Sequence, residues 1–151
     1  MRIKLLSLFL LLSVMSFAQE ANDGRLSFVG LQRNFAGVTL NYRKANIEGN
    51  IGDAKALVIY LHGGSCCGTD NTTQMNEAGI DSIANYLSSH HKAAVFVVPQ
   101  CPDRNKGWGG MIKNVKALLD FTAQTEGTDP NQIYIFGGSM GGTGTWKMLS
   151  S

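Results

Sequence analysis

Two short stretches hold residue types that could do chemistry together. The first, Gly137-Gly138-Ser139-Met140-Gly141, fits the spacing G-x-S-x-G and lies between a run of β-formers (133–136) and a segment of helical character. A serine on so tight a strand-to-helix turn is held in a strained conformation with its hydroxyl projecting outward. Its neighbours two positions away on either side are pressed so close that only glycine fits. The following helix would also aim its positive end at the point where an oxyanion would collect charge. The second stretch, Leu61-His62-Gly63-Gly64-Ser65, directly follows another run of β-formers. Acyl transfer at a serine requires two N–H donors for the oxyanion. One comes from the residue after the nucleophile, here Met140, and one from an earlier loop, where the amide of Gly64 or Ser65 is the candidate. His62 precedes the serine, so it is expected to brace its loop rather than act as the base.

Other chemistries fit less well. Gly-rich strand-to-helix turns also cradle phosphate, but no Gly-Lys-Ser/Thr follows this one and no G-x-G-x-x-G occurs, so neither a nucleotide nor another cofactor is expected. No metal site is expected either: there is no C-x-x-C, and His90-His91 has no matching pair. The three cysteines are an odd number, so at least one thiol stays free or pairs elsewhere. A disulfide from Cys66 or Cys67 to Cys101 is permitted in an oxidising compartment, and three small semi-buried thiols are the alternative.

The elements that must position these residues follow from the hydropathy pattern. The 151 residues are 44% hydrophobic and 16% charged, a globular composition with room for one domain. Strands are expected at 26–31 and 37–43, linked by a turn over 33–36. Continuous apolar runs at 56–61 and 93–98 have the pattern of strands buried on both faces, and 133–136 is a third. Helical spacing marks 74–89 and 110–124, with Gly127 as a stop signal, and a further helix is expected after Gly137. Buried strands alternating with helices imply an α/β fold, a parallel sheet with flanking helices, here preceded by a β-hairpin. In such sheets ligands bind beyond the carboxyl ends of the strands, which is where both stretches lie.

The amino terminus has a different character. Arg2 and Lys4 precede an apolar run (5–14), and Ser16 and Ala18 are the small residues that a signal peptidase reads. We expect a signal peptide over 1–18, cleaved between Ala18 and Gln19, and a mature chain that is secreted or periplasmic. Thirteen basic against eleven acidic residues give +2, and Arg2 and Lys4 account for the surplus. No basic footprint for nucleic acid remains, and no later apolar run is long enough for stable membrane insertion.

Taken together, L-V-I-Y-L-H-G-G (57–64), G-T-D-N (68–71), V-V-P-Q-C-P (97–102), Trp108, D-P-N-Q-I-Y (129–134) and G-G-S-M-G-G-T-G-T-W (137–146) resemble the α/β-hydrolase superfamily. The resemblance is closest to secreted bacterial esterase/peptidase-like members related to the phospholipase/carboxylesterase and polyester-depolymerase groups. It implies that Ser139 is the nucleophile and that the reaction is hydrolysis of a carboxylic ester, in a small molecule or a polymer. A peptide bond is the alternative within the fold, and a non-catalytic binding module the alternative outside enzymes. It further implies that the 93–98 strand lies beside 56–61 with 133–136 on the other side, which would bring the Cys66–Cys67 and Cys101 loops together. Ser65, Gln100 and Trp108 are the implied substrate-lining residues.

One feature departs from that pattern. The acid and the histidine of the superfamily follow the serine, yet none of the twelve residues after Ser139 is Asp, Glu or His. The expectation is that residues 19–151 are the amino-terminal portion of a longer hydrolase domain, inactive or nearly so by themselves.

Overall fold

A computed structural model of the chain describes residues 26–151; the expected signal peptide lies outside the described residues. Strands β1 (Val29–Phe35) and β2 (Val38–Ile47) form an antiparallel hairpin in which Phe35 faces Val38. The two turn residues, Ala36 and Gly37, both take positive φ (50° and 86°), the type I′ geometry whose twist suits a two-residue hairpin. Asn34 Oδ1 accepts the Gly37 N–H at 3.1 Å. Strand β1 thus runs through most of the stretch expected to be the link. Its polar Gln32, Arg33 and Asn34 are exposed, so backbone pairing rather than hydropathy keeps them extended.

The rest of the chain alternates as its apolar runs require: β3 (Ala56–Leu61), α1 (Ala78–Ser89), β4 (Ala94–Pro99), α2 (Ile112–Glu126), β5 (Ile133–Gly137) and α3 (Met140–Leu149). The sheet order is β1-β2-β4-β3-β5. Strands β4, β3 and β5 are parallel, and β2 pairs antiparallel with β4, so the hairpin does not merely precede the sheet but joins it, and the sheet is mixed. Helix α1 begins later than its spacing suggested. Asp70 accepts the N–H groups of Thr72 and Thr73, a 3-10 turn follows over Thr73–Asn76, and Glu77 is extended, which delays the first helical turn to Ala78.

Alternation along the central strands divides the core between two faces. Leu57, Ile59 and Leu61 pack with Val95, Val97, Trp108, Met111, Val115 and Leu118 on the α2 side, where α3 also lies. Val58 and Tyr60 pack with Phe96, Val98, Ile80 and Ala84 on the α1 side. Each such fully buried aliphatic side chain stabilises the fold by about 1.5–3 kcal/mol. Strand β5 is the sheet edge, and Ile133, Tyr134 and Phe136 along it are exposed. An apolar groove of about 700 Å³ runs beside it, lined by Val58, Ile83, Tyr86, Leu87, Tyr134 and Phe136 among others. No helix among the described residues is long and apolar enough to cross a membrane.

Candidate active site

The turn between β5 and α3 is tightly constrained backbone. Ser139 sits at φ 52°, ψ −114°, a region that costs a non-glycine residue about 1–3 kcal/mol. Its side chain is exposed, and it stands at the amino-terminal end of α3, where the helix dipole is positive. The flanking glycines are there for close approach. A Cβ on Gly141 would lie 1.7 Å from Leu61 O, and one on Gly137 would lie 2.3 Å from the carbonyl carbon of Gly141. The Gly138 N–H donates to Leu61 O at 3.2 Å and the Gly141 N–H to Gly138 O at 2.8 Å, so the turn is fastened to the end of β3.

The loop leaving β3 is fastened by His62. This imidazole is fully buried: Nε2 accepts the Cys101 N–H at 2.9 Å, which leaves Nδ1 to donate to Gly63 O at 2.7 Å. That pairing fixes the neutral tautomer, and burial pushes the pKa below its ordinary value. Trp108 donates Nε1–H to His62 O at 2.8 Å and packs its ring edge-on against the imidazole at 5.0 Å. Gly63 O also accepts the Cys66 N–H at 3.1 Å, while the Gly63 N–H donates to Glu77 Oε1 at 2.8 Å. Gly64 comes next and adjoins Met140: a Cβ on Gly64 would lie 3.7 Å from Met140 Sδ. The N–H groups of Gly64, Ser65 and Met140 have no acceptor among the described residues. Candidate donors therefore stand on both loops, Gly64 and Ser65 on one and Met140 on the other, and His62 braces the first.

Gln100 and Trp108 take other places than those read from the sequence. Gln100 is buried, its Oε1 accepting the Asn71 N–H at 2.7 Å and its Nε2 donating to Asp70 Oδ1 at 2.9 Å and Cys66 O at 3.3 Å. Trp108 is buried against His62. Both tie loops together and neither lines a crevice, because a fully bonded buried amide and an enclosed indole have no face left for substrate. Ser65 remains exposed at the rim. The Asp70 carboxyl, bonded first by the Thr73 hydroxyl and N–H and then by Thr72 and Gln100, is held well below the usual carboxylate range.

All three cysteines are free thiols, so the permitted disulfide is not formed. Cys66 points toward Glu77 Oε1 at 3.7 Å, and Cys101 donates to Asp103 O at 3.4 Å. Burial first, opposed by the bond to Asp103 O and reinforced by Cys67, pushes the Cys101 thiol up to about 12. His90 and His91 lie just past the carboxyl end of α1, at the opposite end of the sheet from Ser139; His90 stacks on Tyr86 at 4.2 Å. No cluster of His, Cys, Asp and Glu suited to a metal occurs among the described residues. One residue of the site had no signal in the sequence. Glu77 lies fourteen positions beyond Gly63, and only the packing of α1 brings its carboxylate there.

No family model matches the sequence, and no curated protein does. Solved structures do match. A thermostable esterase is 29% identical with a TM-score of 0.60, over 81% of this chain and 37% of that one. A cold-adapted esterase from an Arctic intertidal metagenomic library is 18% identical with a TM-score of 0.58, over 81% of this chain and 54% of that one. The chain has the α/β-hydrolase fold. An acylaminoacyl peptidase of Pyrococcus horikoshii shares that fold at 13% identity and a TM-score of 0.59, over 84% of this chain and 22% of that one. The chain is a partial α/β-hydrolase domain, spanning between about a fifth and a half of the length of these neighbours.

Proposed function

We propose that this chain belongs to an exported serine hydrolase that cleaves carboxylic esters through an acyl-enzyme on Ser139. The observation that carries the reading is the strained Ser139 turn, set beside the unengaged N–H groups of Gly64 and Met140. A base removes the Ser139 Oγ proton as Oγ attacks the ester carbonyl. The carbonyl oxygen becomes an oxyanion between the Gly64 and Met140 N–H groups, the alcohol departs with the proton, and water then releases the acid and restores Ser139. A serine hydroxyl without a base is a poor nucleophile. The histidine and acid therefore come from outside these 151 residues, which alone are inactive or nearly so. Similarity to the thermostable esterase favours an ester, in a small molecule or a polymer, over a peptide bond. The segment 1–18 directs the chain to the periplasm or beyond the cell.

The test uses the full-length protein and a fluorophosphonate probe. Ser139 is expected to become covalently labelled and short acyl esters to be hydrolysed, and Ser139→Ala to abolish both. Labelling and hydrolysis that survive Ser139→Ala would refute the assignment. Faster turnover of aminoacyl amides than of esters would move it to a peptidase.

A further inference from the structure

Glu77 is a carboxylate that bonds the loop after β3 and lies beside the turn after β5. Its Oε1 accepts the Gly63 N–H at 2.8 Å, a charge-assisted bond, and its Oε2 accepts the Tyr60 hydroxyl at 3.3 Å. The same Oε1 lies 2.9 Å from where a Cβ on Gly63 would stand, and that Cβ would lie 3.7 Å from both Gly138 O and Ser139 Cβ. Across the turn, a Cβ on Gly138 would lie 3.1 Å from Glu77 Oε2 and 3.1 Å from the Tyr60 hydroxyl. The carboxylate thus fills the space between the loop after β3 and the turn after β5, and a methyl on either glycine would press on it.

This contact completes a clamp. The carbonyl of Gly63 is held by His62 Nδ1–H and by the Cys66 N–H, and its N–H is held by Glu77. Both peptide planes that meet at Gly63 are therefore fixed. The Gly64 N–H belongs to the second of those planes and points away from the carbonyl that His62 and Cys66 hold. The clamp also selects between amides: that of Gly63 is engaged by Glu77 and is no oxyanion donor, whereas that of Gly64 is open.

We propose that Glu77 is a positioning residue for the oxyanion loop, setting where Gly64 presents its N–H to a carbonyl at Ser139; this rests on the hydrolase reading above. Oxyanion donors act by being preorganised, and losing one outright lowers kcat by about 10²–10³. Loosening one plane of the clamp keeps the donor and blurs its aim, which costs less.

The experiment compares Glu77→Ala, Glu77→Gln and Tyr60→Phe in the full-length protein, by steady-state kinetics on a short acyl nitrophenyl ester and by the rate of fluorophosphonate labelling. Glu77→Ala is expected to lower kcat by about tenfold or more and to slow labelling in parallel, with KM changed less than about twofold. Glu77→Gln keeps a carbonyl acceptor for the Gly63 N–H and is expected to recover most of the loss. Tyr60→Phe removes one of the carboxylate's donors and is expected to cost a few-fold in kcat. Should Glu77→Ala fail to fold, the other two variants decide the matter. An unchanged kcat in a folded Glu77→Ala or in Tyr60→Phe overturns the inference. So does a loss confined to KM, or a Glu77→Gln protein as impaired as the alanine variant. If the parent protein neither labels nor hydrolyses, the hydrolase reading is what fails. Glu77 is then read from amide hydrogen exchange: faster exchange at Gly63 and Gly64 in Glu77→Ala supports the clamp, and unchanged exchange overturns it.

Discussion

The turn that ends β5 and the outer flank of the strand live under opposite constraints. Where the strand ends, Gly137 and Gly141 are so tightly set against backbone that a single methyl could not be added. Along the strand, Ile133, Tyr134 and Phe136 are 42%, 48% and 41% exposed. The Ser139 turn is therefore fastened from the β3 side, through Leu61 O, and set close against His62 O. Geometry that presents a reactive hydroxyl can be complete in a region whose other flank is still open.

Substitutions can break or sharpen that contrast. The largest effect is expected at the turn. Gly141→Ala drives a methyl into Leu61 O and should destabilise the protein by about 3 kcal/mol or more, read as the urea midpoint; a shift under about 1 kcal/mol would mean that the turn yields. Next comes His62. Replacing it with Phe strands the Cys101 N–H, leaves Gly63 O with the Cys66 N–H alone, and should cost about 1–3 kcal/mol. The substitution should also remove a pH dependence. Because burial lowers the His62 pKa, the unfolded chain binds a proton that the folded chain refuses. Stability is thus full above the ordinary value of 6.5 and declines as pH falls from there through the lower folded value. Thermal midpoints between pH 7 and 5 should fall less in the Phe variant than in the parent, and parallel curves would contradict the account.

Smaller effects separate the hydroxyl from the backbone that carries it. Ser139→Gly releases the positive-φ strain and should raise stability by about 1 kcal/mol while abolishing fluorophosphonate labelling of the full-length protein. A loss of stability would show that the serine side chain contributes contacts of its own. The smallest effect is expected on the open flank. Phe136→Lys should alter stability by no more than about 0.5 kcal/mol yet reduce self-association, measured by light scattering, since charge on an edge strand discourages pairing. A stability loss comparable to that of Gly141→Ala would erase the contrast between the turn and the flank.

Much of this was legible in the residues, and what was not has a physical reason. Strand β3 coincides with the run 56–61, because a strand buried on both faces must be apolar throughout. The Ser139 turn was legible because its glycines are dictated by backbone contact within a few residues. The start of α1 was not, since it depends on Asp70 capturing Thr72 and Thr73. Gln100 and Trp108 look like surface residues in a loop, and only the assembled fold reveals their burial between Asn71, Asp70 and His62. Glu77 is the extreme case. A carboxylate ahead of a helix reads as a solvated charge until α1 is laid against β3.

The sheet order also carries a lesson about synthesis. Strands pair here as β1-β2-β4-β3-β5, so when β3 leaves the ribosome neither of its hydrogen-bonded neighbours yet exists. Residues 94–99 supply the join, pairing with β2 on one side and β3 on the other. A chain made from its amino terminus can therefore close the centre of the sheet only once β4 has emerged. The serine turn, forty residues later, is then added to a platform already built.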